Sequence, residues 1–467
     1  MTRVIIIGAG ISGLSVAFRL QLLRPETDIT ILERNATPGG TIRTENQDGF
    51  RLEAGPNGFL DNKPGTRELC EDVGLADQLI QASESSGKNR YLFLGNGLKR
   101  LPSDLWSFLS NDILSLRGKI DLLLEPVRKR KADDRDESID AFVRRRLGKE
   151  AAQVLADAMV TGIYAGDPNL LSNRSCFPRL AEWEHDHGSI VRGLFAAAKK
   201  RKREAKESGQ PVKKRSGKLW SFDNGLTQLI SGVTAKLTGK PTTGVAVRQI
   251  HRQEETGKPS WSVVAEDGQT RNCDVVVLTC PAYQQAKMVA GMDNDLAEEM
   301  AAIPYNRIAV VGLGYRQQDV TVPVDGFGFI APQSQRRNLL GVQWCSSIYP
   351  HRAPAGHVLM RAMCGGWNRP DVATLPDEDI ITAMREELQL AMHIEAKPVF
   401  TKIIHWQRAI PQYHLGHQDR VKRIENRLMH YPGLFLGGNA YHGVALNDCT
   451  SRGQVLAEMI HEYLGKQ

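Results

Sequence analysis

Four β-branched residues, Val4 to Ile7, stand together near the start of the chain, the composition of a parallel strand buried on both faces. Gly8-Ala9-Gly10-Ile11-Ser12-Gly13 follows. Leu14 to Leu23 has helical spacing, and Asp28 to Leu32 predicts a second strand that ends at Glu33. Together these pieces form a strand–helix–strand unit. From residue 99 to about 200 strand signals fade. Amphipathic stretches at Leu116 to Lys131, Ser138 to Leu147 and Glu150 to Met159 predict a helical insertion. Strand patterns return at Val245–Ile250, Trp261–Ala265 and Val275–Thr279, then near Ile308–Gly312, Gly326–Ile330 and Val358–Met363. Glu378 to Met392 predicts a helix. The chain closes with a strand (Leu434–Leu436), Gly437-Gly438, a loop, and a helix from about Ser451 to Leu464. A nucleotide-binding unit opens the chain and a strand–glycine–helix ends it. The simplest arrangement is one cofactor domain assembled from separated segments.

Composition narrows the class. The 467 residues are 41% hydrophobic and 24% charged, which excludes a disordered, collagen-like or disulfide-stapled chain. The net charge of +7 is local: residues 199–215, KKRKREAKESGQPVKKR, hold nine Lys or Arg and two Glu. The run reads first as a solvated loop and second as a contact for an anionic membrane surface. It is no argument for nucleic acid. The seven cysteines include no CxxC pair, which fits a reducing, cytoplasmic setting and no metal site. No apolar run approaches the roughly 20 residues needed to span a bilayer. The first apolar stretch is short and carries three glycines, so it reads as strand and turn rather than a cleaved leader.

The chemistry concentrates in glycine turns. Gly8 permits a tight turn, Gly10 lets a pyrophosphate approach the backbone, and Gly13 lets helix and strand pack closely. Ala9, Ile11 and Ser12 share the turn, whose helix N-terminus offers free N–H groups to phosphate. Glu33, twenty residues past Gly13, is placed to accept hydrogen bonds from ribose hydroxyls. Arg34 follows, then Gly39-Gly40-Thr41-Ile42-Arg43, a second stretch of bare backbone with an arginine in reach of a phosphate. Gly55-Pro56-Asn57-Gly58 is a third close-approach loop. Taken singly, the second and third loops are equally well ordinary turns. Together they suit a long dinucleotide that stays bound. Gly438 opens a glycine-rich turn before the last helix, whose N-terminus would face the negative end of a reduced flavin. His442 and Asp448 in that turn invite an acid–base reading, but a His in a glycine turn is more often structural. There is no GxSxG, P-loop or HExxH, so hydrolase and kinase readings have no support.

These residues carry a family resemblance. The glycine motif, Glu33 and Gly39-Gly40 are shared across the superfamily of monoamine oxidases and phytoene desaturases. Three stretches are more particular: Glu53-Ala54-Gly55-Pro56-Asn57-Gly58-Phe59-Leu60, Gly162-Ile163-Tyr164-Ala165-Gly166-Asp167 and Arg174-Ser175-Cys176-Phe177-Pro178. With Gly443-Val444-Ala445-Leu446-Asn447-Asp448-Cys449, they resemble the protoporphyrinogen and coproporphyrinogen oxidases of haem synthesis. The resemblance runs from residue 3 to residue 464.

It implies an α/β fold with a Rossmann-type FAD-binding domain of p-hydroxybenzoate hydroxylase-like topology. A mixed α+β substrate domain and a helical insertion domain, often used to sit on membranes, complete it. The boundaries expected here are 1–87, 216–290 and 428–467 for the FAD domain, 88–215 for the helical domain and 291–427 for the substrate domain. The resemblance further implies non-covalent FAD, oxygen as acceptor, and removal of six electrons from a porphyrinogen with release of three hydrogen peroxides. Val444, Ala445 and Leu446 would offer backbone contacts to the flavin, and Val247 would lie near the adenine. Arg90 would pair with a substrate propionate, a contact that suits the two-pronged guanidinium. Gly328, Phe329, Ile330 and Met363 would line an apolar slot for the macrocycle. Flavin N5 would take the hydride, so no catalytic side chain is expected. Some members carry arginine where this chain has Asn57, which leaves a second propionate or flavin contact there to be remade. The Glu53–Leu60 loop looks most like enzymes acting on protoporphyrinogen IX; coproporphyrinogen III is the alternative substrate. A flavin amine oxidase is the rival class, but Ala440 stands where those enzymes usually place an aromatic residue.

Overall fold

The computed structural model describes residues 2–208, 217–253 and 260–466. Two sheets and a helical layer organise the chain. The first sheet is parallel, in the order Leu434–Leu436, Val275–Leu278, Arg3–Ile7, Asp28–Leu32. Ile5 lies opposite Val276, joining strands about 270 residues apart. Val275–Leu278 is wholly buried because helices and a small antiparallel sheet cover both faces. Helices Ile11–Leu23 and Leu446–Gly465 lie side by side on one face. They touch so closely that a Cβ on Gly453 would come within 2.6 Å of Ser15 Cβ.

The second sheet has seven strands, ordered Phe400–Trp406, Arg307–Arg316, His357–Gly366, Leu339–Trp344, Gly328–Ile330, Arg90–Leu94, Gly97–Arg100. One face is sealed by helix Asp377–Met392, which buries Ile380, Met384, Leu388 and Met392 against it. The other face looks toward the hairpin Thr44–Gln47/Phe50–Glu53 and the helix Asp157–Tyr164. The helical layer is anchored by a fully buried ion pair between Arg146 and Glu125. Glu125 also accepts hydrogen bonds from Ser189 Oγ (2.7 Å) and the Ile190 amide (2.9 Å), fixing the start of helix Ile190–Ser208.

The expected α/β architecture is present, with three local corrections. The segment expected to be helical from residue 88 begins instead as a β-hairpin, Arg90–Leu94 and Gly97–Arg100, which completes the seven-stranded sheet. Tyr91 and Phe93 supply its inward face. Residues 199–208 of the basic run are the last turns of helix Ile190–Ser208, not loop, because six cations can splay around a solvated helix. Residues 209–215 lie outside the described residues. The last helix starts at Leu446 rather than Ser451, since Asp448 accepts the Ala445 amide at 3.2 Å and closes the first turn.

Candidate active site between the two sheets

The first glycine turn is forced by contact. Gly8 has φ +107°, and a Cβ on Gly13 would stand 2.0 Å from the Gly8 carbonyl. Gly10 precedes helix Ile11–Leu23 with no capping side chain, so its first N–H groups face outward. Ala9, Ile11 and Ser12 are buried around the turn. The second turn lies against it: the Gly39 amide donates to the Ala9 carbonyl at 2.8 Å, and the Gly10 Cβ direction meets Gly40 Cα at 4.0 Å. Glu33 is buried. It accepts the Ala9 amide (2.9 Å) and both donors of Asn35. A carboxylate accepts about four donors, so about one position stays open beside the three filled. Residues 242–245 run beside Glu33 through the Glu33 amide to Thr242 carbonyl bond, and Val247 follows in the core. Arg34 and Thr41 are exposed. Arg43 is exposed and pairs with Glu45 at 2.6 Å.

The third loop is clamped by the seven-stranded sheet. Arg361 Nε donates to the Glu53 carbonyl (2.9 Å) and Nη2 to the Gly55 carbonyl (2.6 Å), while Trp406 Nε1 takes the Ala54 carbonyl (2.9 Å). A Cβ on Gly55 would stand 2.1 Å from the Thr41 carbonyl, and one on Gly58 2.6 Å from that of Trp220. Glu53 faces Arg352 at 3.0 Å, both buried; burial pushes the carboxyl up while Arg352 and the Leu226 amide pull it down. Pro56 is half-buried. Asn57 is buried with both its amide nitrogen and oxygen unpartnered, the signature of a position that meets a ligand or water.

At the chain's end, Gly438 (φ +102°) packs over the Thr279 carbonyl. Tyr413 Oη donates to the Asn439 carbonyl (2.6 Å) and accepts the Gly443 amide (2.9 Å), holding the turn at both ends. Val444 and Ala445 stay accessible, and Leu446 is buried. Asp448 pairs with Lys63, and His442 turns to Glu425 at 3.3 Å, so the two do not meet. Helices Ile11–Leu23 and Leu446–Gly465 run parallel, with Gly453 beside Ser12–Val16. The last helix therefore begins about one turn beyond the first, at 1.5 Å per residue. The N-terminus of Ile11–Leu23 carries no side-chain cap, while that of Leu446–Gly465 is closed by Asp448.

The sheet face opposite these loops is built in transverse rows. Arg90, Gly328, Gln343, Arg361 and Gly312 lie directly across successive strands. Two residues further on, Leu92, Ile330, Gly341, Met363 and Val310 form the next row. Residues opposite one another share a face. Gly328 and Gly341 carry no side chain, and a Cβ on either would strike the adjacent strand, 2.0 Å from the Val342 carbonyl and 2.6 Å from the Phe329 carbonyl; the low strip they form, the trough, has Ile330 and Met363 beside it and Arg90 at its edge. Arg90 is exposed and lies over the Phe327 ring at 5.2 Å. Gly162 closes over Ile330; a Cβ there would touch Ile330 Cδ1 at 2.7 Å. Phe329 is a correction. It points to the opposite face, 5.7 Å from Phe93 in the core, because strand side chains alternate.

Sequence reasoning missed Arg361, Trp406, Gln343 and Tyr413. Arg361 left a signal, a lone charge in the apolar run VLMRAMC. Its burial lowers the guanidinium pKa from its ordinary value. The other three sit in segments without a motif. Among the described residues no group of three His, Cys, Asp or Glu could hold a metal ion.

A model of flavin containing amine oxidoreductases matches residues 11–461. The chain is 29% identical over 478 residues to coproporphyrinogen III oxidase of Bacillus subtilis, covering 99% of this chain and 98% of that one. It is 30% identical to chloroplastic protoporphyrinogen oxidase of Oryza sativa subsp. japonica, over 99% of this chain and 88% of that one. A crystal structure from Exiguobacterium sp. 255-15 superposes with a TM-score of 0.82 at 24% identity and 99% coverage of both chains.

Proposed function

The chain belongs to the flavin containing amine oxidoreductases, on the side of the porphyrinogen oxidases, and from that premise we propose how its residues divide the work. The protein is an FAD-dependent oxidoreductase that converts a porphyrinogen to a porphyrin in haem biosynthesis. Our first reading of the substrate is protoporphyrinogen IX. Coproporphyrinogen III is the second, favoured by the full-length similarity to the Bacillus subtilis enzyme.

The observation that carries the reading is the glycine trough. A greasy macrocycle with a carboxylate rim needs an apolar floor and a cation at the edge. Gly328 and Gly341 with Ile330 and Met363 supply the floor, and Arg90 supplies the cation.

The cofactor fits the residues present: Gly13 and Gly8 form a cradle that a Cβ would fill, Glu33 keeps an open acceptor position beside its three bonds, and Asn57 keeps an unpaired amide. Gly8–Gly13 and Gly39–Gly40 would hold the pyrophosphate and Glu33 a ribose. Gly55–Gly58 and Val444–Leu446 would hold the ring. Arg34, Thr41 and Val247 flank the adenosine end, and Arg43 contributes only if it leaves Glu45. Bound flavin supplies the two-electron acceptor that oxygen regenerates. The binding is non-covalent. Cys449, the thiol nearest that turn in sequence, is buried, and burial pushes it up to about 11, leaving it protonated. The protein's part is placement: Arg361 and Trp406 lock the third loop, Tyr413 locks the last turn, and the trough orients the substrate between them. No side chain need move a proton.

A peripheral membrane contact on the cytoplasmic side completes the reading. Trp106, Leu116, Val127 and Phe195 are 83%, 76%, 73% and 70% exposed on the helical layer, near Arg117, Lys129 and the basic end of helix Ile190–Ser208. No helix among the described residues is long and apolar enough to cross a membrane.

The deciding experiment compares turnover of both porphyrinogens by FAD-loaded protein in air, followed by porphyrin fluorescence. A higher kcat/KM for protoporphyrinogen IX supports the first reading, and the reverse supports the second. No turnover of either, with flavin bound and reducible by dithionite, sinks both.

A further inference from the structure

Gln343 lies in the row between Gly328 and Arg361, half-buried, on the face of the trough. Arg361 Nη1 donates to Gln343 Oε1 at 3.0 Å. A guanidinium has five N–H groups and no acceptor, so only the amide oxygen can face it. The orientation of the Gln343 amide is therefore dictated, and its NH₂ group turns the other way. Among the described residues that nitrogen has no protein partner, and it is not sealed from solvent.

What it faces follows from the register. The neighbour on the next strand is Gly328, which offers no side chain, and beyond it stands Arg90. Gln343 and Arg90 are thus two strand spacings apart, about 9.5 Å between Cα atoms, with bare backbone between them. Behind Gln343, the guanidinium of Arg361 is buried and spends its other donors on the Glu53 and Gly55 carbonyls and on Met363 Sδ, 3.6 Å away. Its charge cannot reach the trough directly. It does polarise the amide it holds, which strengthens the outward N–H donors.

We propose that Gln343 is a specificity-determining residue whose outward amide donates to a carboxylate of the substrate over Gly328, opposite Arg90. The buried charge of Arg361 is passed on as a stronger neutral donor. This rests on the porphyrinogen reading above.

The test uses FAD-loaded protein with protoporphyrinogen IX and its dimethyl ester, comparing wild type with Gln343→Leu and Gln343→Glu. Gln343→Leu should raise KM for the free acid about tenfold, the scale of one hydrogen bond to a charged group. It should leave kcat within twofold and the ester unaffected. Gln343→Glu keeps an acceptor for Arg361 but presents an oxygen to the trough, so it should raise the acid's KM further. Affinity for the product porphyrin, read by fluorescence titration, should fall in parallel. Equal effects on acid and ester, or an acid KM within twofold of wild type in both variants, overturn the proposal. So does a shifted flavin spectrum with unchanged KM, which would put the amide on the cofactor. Those outcomes leave the wild-type activity standing. Absence of wild-type turnover would remove the underlying reading and this proposal with it.

Discussion

Arg361 donates to the carbonyl of Gly55, 306 positions earlier in the chain, at 2.6 Å. The bond joins the seven-stranded sheet to the loop that would border the flavin. It makes the relative position of substrate floor and cofactor a matter of one side chain rather than of loop packing alone.

Replacing Arg361 with Met keeps the length and removes four donated bonds at once. The Glu53 and Gly55 carbonyls and Gln343 Oε1 then lose their partner, at about 1–3 kcal/mol for each buried group left unpaired. We expect a lowered unfolding temperature, flavin that dissociates on gel filtration, and kcat reduced at least tenfold. Retained flavin with normal kcat would show that the loop holds its position without the clamp.

Gly13→Ala tests the first turn. The added methyl would stand 2.0 Å from the Gly8 carbonyl and 2.6 Å from Thr279 Oγ1, so either helix or strand must shift. Overpacking of this kind costs about 1–3 kcal/mol. The purified variant should carry less than a tenth of the wild-type flavin by absorbance near 450 nm. Gly74→Ala, where φ is +77° but nothing lies within 4 Å, should keep full flavin content.

The first turn was legible because its parts are contiguous: a β-branched strand, three glycines and an acidic residue at fixed spacing. The trough was legible only in fragments. Gly328, Ile330 and Met363 came from a resemblance. What joins them is register across four strands drawn from residues 90 to 366, which no local pattern encodes. Phe329 was misjudged for a related reason: three consecutive residues of one strand cannot all face one pocket. Tyr413 and Trp406 act through side-chain hydrogen bonds to backbone, two and one respectively, and nothing in their neighbourhoods marks that role. Assigning residues 88–100 to the helical domain failed for the same reason, since Arg90–Leu94 finds its partner, Gly328–Ile330, about 240 residues on.

The exposed apolar residues of the helical layer make a separate prediction. Trp106→Glu with Phe195→Glu should abolish most co-sedimentation with vesicles containing anionic lipid, since each change removes a large apolar group and adds repulsion. Turnover in detergent should be unchanged, because both side chains are largely exposed to solvent. Equal sedimentation of variant and wild type would assign the patch to something other than lipid.

Acid sensitivity should trace to His417. Its ring stacks on Tyr413 with centroids 4.0 Å apart and planes within 9°, and burial is the main reason its pKa falls to about 4. A hydrogen bond to the Tyr441 backbone opposes that fall, while Arg420, His442 and His414 add to it. An unfolded histidine titrates near 6.5. The folded pKa is the lower one, so the stabilisation is complete above pH 6.5 and is lost as pH drops through the interval to about 4. In that window the unfolded chain takes up a proton the native state refuses, worth about 3 kcal/mol at the acid end. Tyr413 holds the Asn439–Gly443 turn, so weakening this stack should also release flavin. We expect wild-type protein to lose stability and flavin together between pH 6 and pH 4. His417→Phe keeps the stack without the titrating group, so it should push both transitions to lower pH. If the variant follows the wild-type acid curve, the titration belongs to other groups and His417 serves only as packing beneath Tyr413.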